Sequence, residues 1–171
     1  MFRKTIGAVL GLALMITPAF ALSQFYQGNS GQWTIEGYTG GKNFCSAKTY
    51  WDGGASYMSL FNMQGSDVFS LMIHNEDWNI GDSRGLYDIV VEFNGAAGYD
   101  AMPGTYELKD RQTIIIRDLT ESFLINWIKY REMALVMPGN IQSFRIGLIG
   151  TSDSVDMFSE CIEMLNGEVG D

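Results

Sequence analysis

Few residues in this 171-residue chain are equipped for covalent or acid–base chemistry. They are one histidine, His74, two cysteines, Cys45 and Cys161, and a serine between glycines in Gly28-Asn29-Ser30-Gly31. A serine nucleophile needs a base and an oxyanion hole around it. In the trypsin-like order the histidine comes well before the serine, whereas here His74 follows Ser30. The stretch reads better as a flexible lead-in loop. His74 closes Leu71-Met72-Ile73-His74 and is followed by Asn75-Glu76-Asp77. As a general base it would take Glu76 or Asp77 to orient its ring, so a His74-dependent hydrolase is one alternative. As a zinc ligand it would need further partners, and with both cysteines bonded only carboxylates are left. The expectation is a strand-end histidine at a sheet rim, with no catalytic residue, metal or cofactor.

The stretch Asn75–Asp88, NEDWNIGDSRGLYD, is the strongest candidate for function. It sets Glu76, Asp77, Asp82 and Asp88 around Trp78, Arg84 and Tyr87, and it is longer than a hairpin requires. Long loops on a rigid scaffold often carry binding, and aromatic residues make good anchors. The candidate binding residues are therefore Glu76, Asp77, Trp78, Asp82, Arg84 and Tyr87. The competing reading is a solvated loop whose aromatics fold back on the core. The Asp-x-Asp-x-Asp-Gly spacing of a calcium loop is absent. A second glycine-bearing stretch, Asn94–Gly104, reads as a loop with no following helix to cradle a phosphate. Met58, Met63, Met72, Met133, Met137, Met157 and Met164 fall at core-like spacing without a Met-x-Met cluster, which suits packing better than copper.

The beginning of the chain sets the expected compartment. Met1-Phe2-Arg3-Lys4 is a basic head, Ile6–Ile16 an apolar run, and Ala19-Phe20-Ala21 a small-x-small cleavage pattern. Residues 1–21 thus read as a signal peptide, cleaved near Ala21. The run is shorter than the ~20 apolar residues of a spanning helix, and no later segment suits a membrane span. Residues 22–171 read as a single domain that is periplasmic or secreted. Two cysteines in an oxidising compartment most often pair, so Cys45 and Cys161 are expected to form a disulfide. Without Arg3 and Lys4, 9 basic residues face 20 acidic ones, a net charge of −11. That charge repels nucleic acid and steers a basic protein partner towards the chain.

Around these residues, turn signals recur at short intervals. Strands are expected over residues 33–38, 44–50, 57–63, 68–74, 87–93, 105–109, 112–117 and 143–148. The clearest alternation sets Tyr87, Ile89, Val91 and Phe93 against Asp88, Glu92 and Asn94. Residues 22–31 read as a loose lead-in. A helix is expected from Asp118, with Asp118-x-x-Glu121 as a variant capping box and Leu119, Phe123, Leu124, Trp127 and Ile128 as its apolar stripe. A second begins at Thr151 or Ser152, with Val155, Phe158, Cys161, Ile162 and Leu165 on its inner face. The fold class is mainly β: an antiparallel β-sandwich or open barrel with two short helices and one disulfide.

A tryptophan in the first strand, the cysteine strand ending in Trp51-Asp52-Gly53, and the closing FRIGLIGTSDSVDMFSECIEML carry a resemblance. The chain resembles small secreted envelope proteins of Gram-negative bacteria, the invasion-associated locus B family among them. Cys45 and Cys161 match best, and they imply architecture; the resemblance carries over no catalytic residue. The expected function is a non-enzymatic periplasmic or secreted binding protein, an envelope accessory, inhibitor or immunity-type protein. It would engage a macromolecule through loops at one end of the fold. A structural envelope component is the remaining alternative.

Overall fold

The computed structural model describes residues 22–80, 85–137 and 144–167. The expected signal peptide, Asp82 and Arg84 lie outside the described residues. Among the described residues, ten strands form one sheet: β1 Ser23–Ser30, β2 Trp33–Thr39, β3 Phe44–Trp51, β4 Ser56–Met63, β5 Phe69–His74, β6 Leu86–Gly95, β7 Gly98–Asp110, β8 Thr113–Leu119, β9 Glu132–Val136 and β10 Phe144–Gly147. Helix α1, Glu121–Lys129, joins β8 to β9, and α2, Thr151–Gly167, follows β10. The strand order is β1-β2-β3-β4-β5-β8-β7-β6-β9-β10, and every neighbouring pair is antiparallel.

The sheet curls on itself because one of its faces is apolar. Ile35, Met58, Leu60, Leu71, Ile73, Ile114, Ile116, Val91 and Phe93 are all buried there. The alternation expected for β6 is present: Ile89, Val91 and Phe93 point inwards while Val90 is 37% exposed. Among the described residues, β10 forms no ladder with the far side of the sheet. It closes the curl through side chains instead, with the Phe144 ring 5.5 Å from that of Trp51 on β3. Just beyond β10, the Trp33 indole N–H donates to the Ile149 carbonyl at 3.3 Å. Of the two architectures expected, this is the open barrel.

Helix α2 buries Val155, Phe158, Cys161 and Leu165, a spacing that puts one apolar stripe against β1, β2 and β3. Cys161 is bonded to Cys45 of β3, with Cα atoms 6.1 Å apart and a sequence separation of 116. Closing so long a loop is worth about 4–5 kcal/mol in the chain-entropy account. The approach depends on Gly37, which faces Cys45 across the β2–β3 ladder. A Cβ there would lie 2.6 Å from the Phe25 ring and 2.8 Å from the Cys161 sulfur. Beside it, the Tyr26 hydroxyl donates to Glu160 Oε2 at 2.8 Å. Burial, then that hydrogen bond and the carboxylate charge, push the Tyr26 phenol up to about 12.

Several local expectations are corrected. Residues 23–30 form an edge strand rather than a loose lead-in, because β2 supplies a backbone ladder that needs no apolar pattern from β1. Asn94–Gly104 is no loop: β6 and β7 continue through it to a tight turn between Gly95 and Gly98, where Gly98 has φ +108°. β9, absent from the expected strands, is a short run dominated by apolar residues. Asp118 does not cap α1; it lies near the end of β8 with φ 56°, and Thr120 is the N-cap. Ile128 and Met164, expected inside, are 42% and 37% exposed. Asn126 takes the place on α1's inner face, donating to Asp100 Oδ2 at 2.9 Å.

Gly37→Ala should therefore force α2 off the sheet. Its urea unfolding midpoint, followed by tryptophan fluorescence, should fall by an amount corresponding to about 1–3 kcal/mol. A midpoint equal to that of the unsubstituted protein would mean the helix does not press on this glycine.

Candidate functional site

The end of the barrel at which β5 stops is built by the β5–β6 loop and the β7–β8 turn. Asn75 N–H donates to the Gln112 carbonyl and Ile80 N–H to the Arg111 carbonyl, both at 3.0 Å. The Gln112 amide returns a bond to the Glu76 carbonyl at 2.6 Å. Within the loop, Asn75 Oδ1 accepts from Asp77 N–H at 2.9 Å and its carbonyl from Trp78 N–H at 3.1 Å. This is a side-chain-mimicked turn of the kind asparagine favours. The first half of the long loop is thus laced to a neighbouring turn.

Glu76 and Asp77 are exposed on this turn, whereas Trp78 is half-buried and packs edge-on against Phe144 at 5.5 Å. Tyr87 stacks instead on Tyr106 of β7, ring centroids 5.2 Å apart. The structure therefore brings Glu76, Asp77 and Trp78 together. It places Tyr87 on the β6–β7 pair, and both aromatics fold back on the core. Asp82 and Arg84 fall outside the described residues.

Beside this loop runs a row of residues that sequence reasoning did not assemble. Tyr50, Tyr57, His74, Thr113 and Asp110 are successive cross-strand partners on β3, β4, β5, β8 and β7. Tyr50 and Tyr57 lie 5.9 Å apart between ring centroids, and His74 stacks on Tyr57 at 5.2 Å with planes 21° apart. Such cross-strand aromatic pairs are the side-chain unit of sheet stability. His74 Nδ1 lies 2.9 Å from the Thr113 hydroxyl. The ring is thus oriented by a hydroxyl from β8, and not by Glu76 or Asp77, on which the hydrolase alternative drew. Thr113 in turn faces Asp110 across the β7–β8 ladder, so Asp110, Thr113 and His74 lie side by side in register. Burial raises the Asp110 carboxyl, but the bond from Gln112 N–H, the neighbouring Thr113 hydroxyl and the charges on His74 and Lys109 outweigh it and hold it below its ordinary value.

The remaining candidates sit apart. Ser30 is on β1, with three strands between it and β5. Both cysteines are in the disulfide. Among the described residues, no three of His, Cys, Asp and Glu gather at a spacing that would hold a metal ion, and no helix is long and apolar enough to cross a membrane.

Comparison with known proteins adds little. No family model matches the chain, and no curated protein matches it. Among solved structures, a fragment of avian reovirus sigmaC, residues 117–326, aligns at 12% identity with a TM-score of 0.24. The alignment covers 79% of this chain and 64% of that one. So low a score carries no argument about fold or role.

A carboxylate held below its ordinary value stabilises the fold above that of the unfolded chain, about 3.8, and ceases to do so as pH falls through the lower folded value. Asp110→Asn should accordingly lower the urea midpoint at pH 7 and leave the difference from wild type smaller near pH 3. An equal deficit at both pH values would show that the charge on Asp110 does not matter.

Proposed function

We propose that the chain is an exported, non-enzymatic binding protein of the bacterial envelope that engages a basic macromolecular partner through the loop end of its barrel. The observation that carries this reading is the continuity of two features. The aromatic row Tyr50–Tyr57–His74 runs directly into Asp110 and lies beside the exposed carboxylates of Glu76 and Asp77. Tyr50, at the head of the row, is 55% exposed. Aromatic side chains are frequent hot spots in protein interfaces, and acids around them select positive partners and raise on-rates. The acidic balance of the whole chain works in the same direction. The envelope assignment rests on the signal-peptide pattern and on the resemblance to invasion-associated locus B proteins.

A second reading draws on the Asp110–Thr113–His74 order. It resembles the way a base is oriented by a further group in hydrolases, and it would make His74 a general base. Turnover of an ester or peptide substrate that vanished in His74→Ala, with an unchanged melting temperature, would favour this reading over binding.

Two measurements test the first reading. N-terminal sequencing of the exported protein should begin at Leu22. Pull-down from envelope extract should retain a basic protein whose capture weakens with added salt. Tyr50→Ala should weaken it by about tenfold or more, and Glu76→Gln with Asp77→Asn should flatten its salt dependence. Capture indifferent to salt and to Tyr50→Ala would remove the loop end as the binding surface.

A further inference from the structure

The gap that β10 leaves in the barrel wall is a site of its own. Among the described residues β10 pairs only with β9, so one edge of its backbone is without a strand partner there. The end of β3 stands opposite that edge but forms no ladder with it. The gap is pinned on both sides, by the Phe144–Trp51 contact at 5.5 Å and by the Trp33–Ile149 hydrogen bond at 3.3 Å. Between the pins lies a slot of about 240 Å³, lined among others by Gln32, Thr49, Tyr50, Trp51, Arg145 and Ile146. Because both ends are pinned, an extended peptide cannot pass through as an added strand. The volume falls below the ~300 Å³ at which pockets for drug-sized ligands begin, so the occupant is about one ring in size.

The lining narrows the chemistry further. Trp51 and Tyr50 are successive on β3, so Trp51 faces inwards and Tyr50 forms the outer lip; together with Phe144 they make aromatic walls. Thr49 is 1% exposed and lines the slot, which brings a hydroxyl to its wall. Arg145, the one cation among the described lining residues, is already paired with Glu132 at 2.7 Å. A purely apolar occupant would offer no partner to the Thr49 hydroxyl or to the β10 edge. Glu132 already offsets the charge of Arg145, so an anion would find little net positive charge there. A neutral ring with hydroxyls on its rim and an apolar C–H face avoids both difficulties.

We propose that the slot binds a single neutral sugar ring, lying against Trp51 and Tyr50 and hydrogen-bonded by Thr49, Gln32 and the free edge of β10. This goes beyond the partner surface proposed above and shares only Tyr50 with it, so either can fail alone. The test is saturation-transfer NMR on the mature protein. The probes are glucose, galactose, mannose and N-acetylglucosamine, their β-linked disaccharides, and two controls, indole and glucuronate.

Transfer to at least one neutral sugar is expected, weakened about tenfold in both Thr49→Val and Gln32→Ala. Gln32 is exposed in the β1–β2 turn, so its substitution keeps the test open if Thr49→Val fails to fold. Binding of disaccharides alone would identify a chain end as the ligand, and binding of monosaccharides a free sugar. No transfer to any sugar at tens of millimolar, transfer only to indole or glucuronate, or sugar binding untouched by either substitution would overturn the proposal.

Discussion

Helix α2 can lie against β1, β2 and β3 because Gly37 presents no side chain where Cys161 crosses the sheet to reach Cys45. The contact is small, yet much else depends on it. With α2 fixed there, Phe158 reaches Phe69 of β5, with ring centroids 6.1 Å apart, and Tyr26 of the edge strand is tied to Glu160. The edge strand β1 would otherwise present a half-buried, polar segment with little to hold it. A crosslink between a strand near one end of the sheet and the last helix also restricts how far the sheet can uncurl. It acts on the unfolded chain as well, which loses the freedom of a loop of over a hundred residues.

The second constraint is aromatic. Trp127 of α1 packs edge-on against both Trp33 of β2, at 5.4 Å, and Phe123 of its own helix, at 5.1 Å. Phe123 in turn meets Phe93 of β6 at 5.6 Å. This chain of rings links strands from the two halves of the sheet through a helix. Thr151 completes the join, its hydroxyl bonded to the carbonyls of Trp127 and Leu148. Among the described residues, closure by packing rather than by a backbone ladder leaves one edge of β10 without a strand partner and the slot beside it. The open position in the wall is a consequence of how the barrel is shut.

Close to the slot, the scaffold gives the loop residues unequal freedom. Trp78 is anchored on Phe144 and the turn beneath it is laced to Arg111 and Gln112, so Glu76 and Asp77 project from a fixed base. Tyr50 and Tyr57 occupy strand positions with register partners on one side or both. A partner binding there would meet a surface already ordered, and little ordering entropy would be lost on association.

The sequence by itself determined the class of the fold, the pairing of its cysteines and the inner faces of β6 and α2. Each of these comes from a local period or from the number of cysteines. Strands whose stability comes from a neighbour's backbone were invisible to such reasoning: β1 is polar, the first part of β7 is rich in glycine, and β9 is too short and uniform to show a period. Length and acids singled out the candidate loop in the sequence, but the fate of Trp78 and Tyr87 depended on which rings lay opposite. Only the tertiary structure assembled Tyr50, Tyr57, His74, Thr113 and Asp110, since their proximity is a matter of register across five strands and not of spacing along the chain. The same holds for the slot, whose walls come from β3 and β10, nearly a hundred residues apart, and meet because the sheet curls until its apolar face is out of water.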